Sequence, residues 1–97
     1  MYNEVITLNK VQYKTDGTEK TVSRDVFCRI ASIGTNEFYQ AHSAGLKPDI
    51  KFVIADYEDY EGESILTYNQ ATYTILRTYR VDNELEITCQ AEIGGGY

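Results

Sequence analysis

Tryptophan is absent from this chain, and histidine, proline and methionine occur once each, at His42, Pro48 and Met1. A single imidazole excludes the multi-histidine metal sites and relays on which much enzyme chemistry rests. Cysteine is nearly as scarce: Cys28 and Cys89 stand far apart with no CxxC pairing. Two thiols and one imidazole cannot supply the four ligands of a structural zinc site. Both cysteines fall inside strand-like runs and read as buried thiols of a reducing compartment, or as a bridge if their strands are neighbours. Long apolar runs are missing too, none approaching the ~18 residues of a membrane span. The start "MYNEVITL" has no basic segment followed by an apolar one, so no secretory leader is expected and the chain reads as soluble and cytosolic. Finally there is no basic surplus. Nine Lys and Arg face fifteen Asp and Glu, a net charge of −6. Gripping nucleic-acid phosphates depends on Lys and Arg displacing counterions, so that function is disfavoured.

Catalytic motifs are lacking as well. No G-x-S-x-G, glycine-rich phosphate loop or H-E-x-x-H occurs. Glu37, His42 and Cys28 are the raw material for a base–nucleophile set, but Cys28 lies mid-strand on what reads as an inward face. The expectation is a protein that is no enzyme, with no catalytic residues, no cofactor and no metal.

What is present is β pattern. Ninety-seven residues, 42% of them hydrophobic, suit one domain with a core of its own. "EVITLNKVQY" (Glu4–Tyr13) is rich in β-branched residues, and Asp16-Gly17 supplies a hairpin turn into "KTVSRDVFCRIASI". In that return strand Val22, Val26, Cys28 and Ile30 share a face, with Phe27 an apolar exception on the other. "IKFVIADY" (Ile50–Tyr57) resumes a strand. "ILTYN" and "TYTILRTYRV" form a hairpin through Asn69-Gln70-Ala71, and Val81-Asp82-Asn83 turns into "ELEITCQAEI", where Leu85, Ile87, Cys89 and Ala91 share a face. Six short strands joined mostly by tight turns predict an all-β fold, a small antiparallel barrel or sandwich with no exposed edges. Residues 1–93 form the domain, and 94–97 a flexible tail.

One segment breaks the pattern. From Thr35 or Asn36, either able to cap a helix, "EFYQAHSA" reads as two and a half helical turns ending at Gly45, with Glu37 in the favourable first turn. Pro48 blocks continuation and restricts Lys47 before it. A helix that short needs packing. Either Phe38 and Leu46 plug the barrel's open end, or the excursion of about residues 35–49 reaches another subunit or a channel. On the second reading Phe38, Tyr39 and Leu46 are anchors, Glu37 and His42 lie on the contacting helix, Lys47 is a charge partner and Pro48 stiffens the exit.

Charge is divided unevenly. Residues 1–55 carry a net +1 and residues 56–97 a net −7, together the −6 of the chain. Copies packed head to tail could set the near-neutral half of one against the acidic half of the next. Asp56, Glu58, Asp59, Glu61 and Glu63 crowd one loop, "DYEDYEGE". They lack the alternation and closing bidentate Glu of a calcium loop. A solvated acidic hairpin tip is expected, able to meet a basic patch on a neighbour.

Several of these stretches, in this order, resemble the small head-closure, or head–tail joining, connector proteins of tailed bacteriophages and prophages. They are "MYNEVITL", "VFCRIASI", "NEFYQAHSAGLKPDIKFVI", "YEDYEGE" and "ATYTILRTYR…ELEITC". The pairing of Glu37-Phe38-Tyr39 with Gly45-Leu46-Lys47-Pro48 is the most specific part. Relatives often carry Asn-Gly where this chain has Asn69-Gln70, so a three-residue turn is expected here. The resemblance implies a small β-barrel assembling as a ring of about twelve copies in the virion, free subunits being monomeric in some cases. The ring sits below the portal and adaptor, joins the filled head to tail-completion or tail proteins, and in some members acts as a stopper through a channel loop. It implies a virion location at the head–tail interface, the host cytoplasm before assembly, genomic DNA only as cargo passing the channel, and no membrane. Nine tyrosines against three phenylalanines suit subunit interfaces, since a phenol can be half buried and still use its hydroxyl. Twelve copies would gather roughly −70 formal charges, which calls for neutralising contacts or solvent spacing. The competing readings are a monomeric β-barrel binding module and a tail-completion protein.

Overall fold

The computed structural model describes residues 2–34, 45 and 48–92. Six strands run in chain order: β1 (Glu4–Tyr13), β2 (Glu19–Ala31), β3 (Ile50–Ile54), β4 (Ile65–Tyr68), β5 (Ala71–Val81) and β6 (Glu84–Ala91). All neighbours are antiparallel, and the ring closes in the order β1-β2-β3-β6-β5-β4. The protein is thus a closed six-stranded antiparallel β-barrel.

Alternation fills it. Ile6 and Leu8 of β1, Val26 and Cys28 of β2, Phe52 and Ile54 of β3, Leu66 of β4, and Leu85, Ile87 and Cys89 of β6 form one buried cluster. Phe52 sits at its centre, its ring edge-on to Tyr68 at 5.1 Å and to Tyr73 at 5.8 Å. Every member occupies an inward phase of the period-2 pattern, which is why one register suffices. Val53 is an exception. It faces outward yet is buried, between its cross-strand partners Arg29 and Glu86. Ion pairs from those two to Glu84 and Lys51 bracket it, so long polar stems cover an apolar side chain. The N-terminus joins this outer cluster, the Tyr2 hydroxyl donating to the Glu84 carboxylate; that bond and then Arg29 hold the Glu84 carboxyl below its usual range.

The turns follow their residues. Thr15-Asp16-Gly17 form a three-residue loop in which the Gly17 N–H donates to Lys14 O and Gly17 takes φ +88°. That is a type I turn closed by a glycine bulge. The Asp16 carboxylate accepts from the backbone and hydroxyl of Thr18, which lowers its pKa. Between β4 and β5 the expected three-residue turn is not found. Tyr68 pairs with Ala71, leaving Asn69 and Gln70 as a two-residue turn with φ 51° and 70°. The barrel demands this tight closure, and Gln70 accepts the left-handed backbone at a cost of about 1 kcal/mol. Gln70→Gly should therefore stabilise the fold by about 0.5–1 kcal/mol, read as a raised urea midpoint with an unchanged slope; a neutral or destabilising result would mean Gln70 is not strained.

Cys28 and Cys89 are both free thiols and buried, as expected, on strands that β3 separates. Burial, and then Glu4, pushes Cys28 up to about 11; burial alone pushes Cys89 up to about 12. Because both folded values lie above the ordinary one, the unfolded chain loses these protons first. Their contribution is intact below pH ~9 and is lost as pH rises towards the folded values, at about 1.4 kcal/mol per pH unit for each thiol. Urea midpoints should fall steeply between pH 9 and 10.5, and Cys28→Val/Cys89→Val should flatten that fall. An equal slope in the variant would contradict the assignment.

Candidate interaction surface

Strands β3 and β4 lie on opposite sides of the ring, with two strands between them in either direction. Their connection, Ala55 to Ser64, therefore crosses one mouth of the barrel. This corrects the expected acidic hairpin tip: β3 pairs with β2 and β6, β4 with β1 and β5, and the two never pair with each other. Asp56 caps a single 3-10 turn, Tyr57–Asp59, accepting from the Glu58 N–H at 2.9 Å. Tyr57 and Tyr60 then pack onto the core cluster, and the Tyr60 hydroxyl donates to Glu63 O at 2.5 Å. Burial and the nearby Glu63 carboxylate raise the Tyr60 pKa.

Three cations on inward-phase positions hold this crossover down. Arg24 of β2 lies in the same phase as Val26 and Cys28, and Lys10 of β1 in that of Ile6 and Leu8. Arg80 of β5 pairs with Leu85 because a bulge between Ile75 and Arg77 shifts the phase of the strand. Arg24 pairs with Glu63 at 3.2 Å and Glu61 at 3.8 Å and donates to Asp59 O. Lys10 approaches Glu61 at 3.9 Å. The Arg80 guanidinium lies 3.6 Å above the Tyr57 ring, a cation–π contact, while the Tyr57 N–H donates to Asn83 O at 2.7 Å. Glu63 is almost wholly buried, at 3% exposure, and its second oxygen accepts from the Glu61 N–H at 2.7 Å. The five acidic residues thus divide. Glu61 and Glu63 form ion pairs that hold the fold, whereas Asp56, Glu58 and Asp59 are exposed and form no ion pair among the described residues, the Asp56 carboxylate serving only as the cap of the turn. No group of three or more His, Cys, Asp or Glu among the described residues is placed to hold a metal ion.

At the same end the barrel sends out an arm that the sequence pattern did not announce. Pairing of β1 with β4 stops at Asn9, and pairing of β2 with β3 starts only at Cys28. Between those points β1 and β2 have only each other, and residues 11–21 are all exposed. On the outer face of this ribbon Val5 lies opposite Phe27, 42% and 67% exposed, and further out come Val11 and Tyr13, 49% and 72% exposed. Between the two apolar patches runs a polar ladder: Thr7 donates to Asp25, and Ser23 donates to Asn9, whose amide donates to Thr67. An open groove of about 580 Å³ flanks Phe27, lined by Arg24, Asp25, Val26, Ala55 and Asp59.

Of the excursion candidates, Glu37, Phe38, Tyr39, His42, Leu46 and Lys47, with the expected helix, lie outside the described residues. So does the expected tail. Gly45 has φ +81°, the left-handed conformation expected of it. Pro48 is buried. Asp49 ties the strand entry to β6, its N–H donating to Cys89 O and its carboxylate accepting from the Ala91 N–H. This connection leaves the barrel at the end opposite the acidic crossover, since β2 and β3 run antiparallel. No protein-family model and no curated protein matches this chain.

Proposed function

We propose that this protein is a structural subunit of the connector between head and tail in a tailed bacteriophage or prophage. It closes the head as one member of a ring below the portal and adaptor. The observation that carries this reading is a rigid barrel, stoppered by its own crossover, that leaves large apolar side chains on its outer strands: Val5, Val11, Tyr13, Phe27, Tyr79 and Val81. Scattered exposed apolar residues are ordinary; a Val5–Phe27 pair at the base of a projecting ribbon that also exposes Val11 and Tyr13 suits contact with other subunits. The ordered sequence stretches that resemble the head-closure family add to it. The three exposed carboxylates of the crossover would repel phosphates, so a channel wall formed there would let DNA pass without holding it. In this role the protein occurs in the virion at the head–tail junction, with portal, adaptor and tail proteins as partners. Quantitative mass spectrometry of purified particles tests it. The expected result is this protein present at about one copy per portal subunit; its absence from tailed particles would refute the reading and favour a separate binding module.

A further inference from the structure

We infer that two copies of this chain exchange barrel halves, the β4-β5-β6 half of one seating on the β1-β2-β3 half of the other. The ring order β1-β2-β3-β6-β5-β4 divides into two sequential three-stranded sheets. They meet along two seams, β3 with β6 and β1 with β4, and only the crossover, residues 55–64, links them covalently. Neither half is complete alone. The core cluster takes Phe52 and Ile54 from the first and Leu66 and Ile87 from the second, so each half covers the apolar face of the other. Each also ends in two open ladder edges that only its complement pairs. Charge is complementary as well. The ion pairs of Lys10 and Arg24 with Glu61 and Glu63, of Arg29 with Glu84 and of Lys51 with Glu86 all run from a cation before residue 55 to a carboxylate after it. With +1 on residues 1–55 and −7 on residues 56–97, two second halves repel, whereas a first half accepts a second half. The surface that fits a free half is therefore supplied by a second copy of this chain.

The link is short for its task. The Tyr57 N–H donates to Asn83 O, and the Ile75 N–H donates to Ser64 O. Ile75 pairs with Cys89, six residues along the chain from Asn83, so these two anchors lie about 20 Å apart. Seven residue steps, three of them in the compact 3-10 turn, also supply about 20 Å. The crossover is thus taut, and a hinge without slack favours exchange between chains over closure within one. Intact, it holds the halves of one chain at an effective concentration of roughly millimolar order, so exchange competes once the protein reaches that range. Reciprocal exchange gives a dimer of two complete barrels, each built from both chains. It does not depend on the connector role.

The test is disulfide trapping across one seam. Thr7 of β1 and Thr67 of β4 are direct partners there, at a spacing that suits a disulfide. Two full-length variants, Thr7→Cys and Thr67→Cys, one carrying a size tag, are unfolded together in urea with reductant and refolded at about 1 mM. Oxidation follows only then, when the native thiols are buried again. The expected result is a tagged–untagged disulfide dimer that neither variant forms alone, its yield at least about tenfold lower after refolding at about 10 µM. A yield that does not rise with protein concentration would overturn the exchange. So would bridging no greater than Thr7→Cys shows with Thr78→Cys, which is exposed on β5 away from both seams. Deleting Glu58 and Asp59 from both chains shortens the crossover and should make the bridged dimer the main species even at about 10 µM. A folded monomer as the main species there would contradict the inference equally, and if the shortened chain fails to fold, the full-length pair decides alone.

Discussion

Replacing Arg24 with methionine should cost about 3–5 kcal/mol of stability, a large share of what a domain of this size possesses. The substitution keeps the apolar stem and removes the charge that sits between Glu63, Glu61 and the carbonyl of Asp59. Glu63 would then remain as a buried carboxylate, its only other support the Glu61 N–H. With about 4–8 °C lost per kcal/mol in a domain near one hundred residues, the melting temperature should drop by more than about 12 °C. Glu63→Gln should cost less, about 1–2 kcal/mol, because it removes the charge yet retains an acceptor for that N–H, and Arg24 stays partly solvated with Glu61 nearby. The double variant Arg24→Met/Glu63→Leu should recover much of the loss, since neither charge is left stranded. Calorimetry of the three proteins checks this. A loss below about 1 kcal/mol for Arg24→Met would mean that the crossover is held by Tyr57 and Tyr60 alone.

Phe52→Ala should be as damaging, at about 3–5 kcal/mol. Phe52 is fully buried on the shortest-but-one strand, and it is the one phenylalanine among the core residues. Its ring meets Tyr68 of β4 and Tyr73 of β5 edge-on, and so links the two sides of the barrel through the core. Truncation leaves a cavity that neighbouring strands cannot collapse into, because closure fixes their spacing. Phe52→Leu should cost about half as much. Urea unfolding distinguishes the cases: if the alanine variant lost no more than the leucine variant, the ring contacts would contribute nothing beyond bulk.

The barrel itself was legible. Alternation located six strands, put Val26 with Cys28 and Leu85 with Ile87 and Cys89 on faces that are buried, and favoured closure because open edges are a hazard. What the alternation hid were the charged residues in inward phase. Lys10, Arg24 and Arg80 look like surface cations one at a time, and the side chains beside them draw the eye to the apolar face. Yet a cation in phase with Val26 and Cys28 requires a carboxylate within reach, and the acidic loop supplied one. Five carboxylates within eight residues resemble one another in sequence; only the crossing from β3 to β4 selects Glu63 for burial. Bulges are equally silent, since Leu76 reads as one more strand residue while it resets the phase that brings Arg80 over Tyr57. The arm was hidden for another reason. Val22 continues the inward phase of Val26 and Cys28, while Val11 and Tyr13 read as ordinary strand residues, and nothing local states that pairing of β1 with β4 stops at Asn9 or that pairing of β2 with β3 waits until Cys28. The two-residue turn at Asn69-Gln70 followed the same logic, long-range closure overriding local preference.

The connector role is tested most directly by interrupting the gene in its phage or prophage and counting particles by electron microscopy after induction. Full-length capsids that package DNA but then leak it, accumulating beside unattached tails, are the predicted outcome, with normal particles restored by the wild-type gene in trans. Tailed particles that form and retain their DNA at the normal frequency without this protein would contradict it.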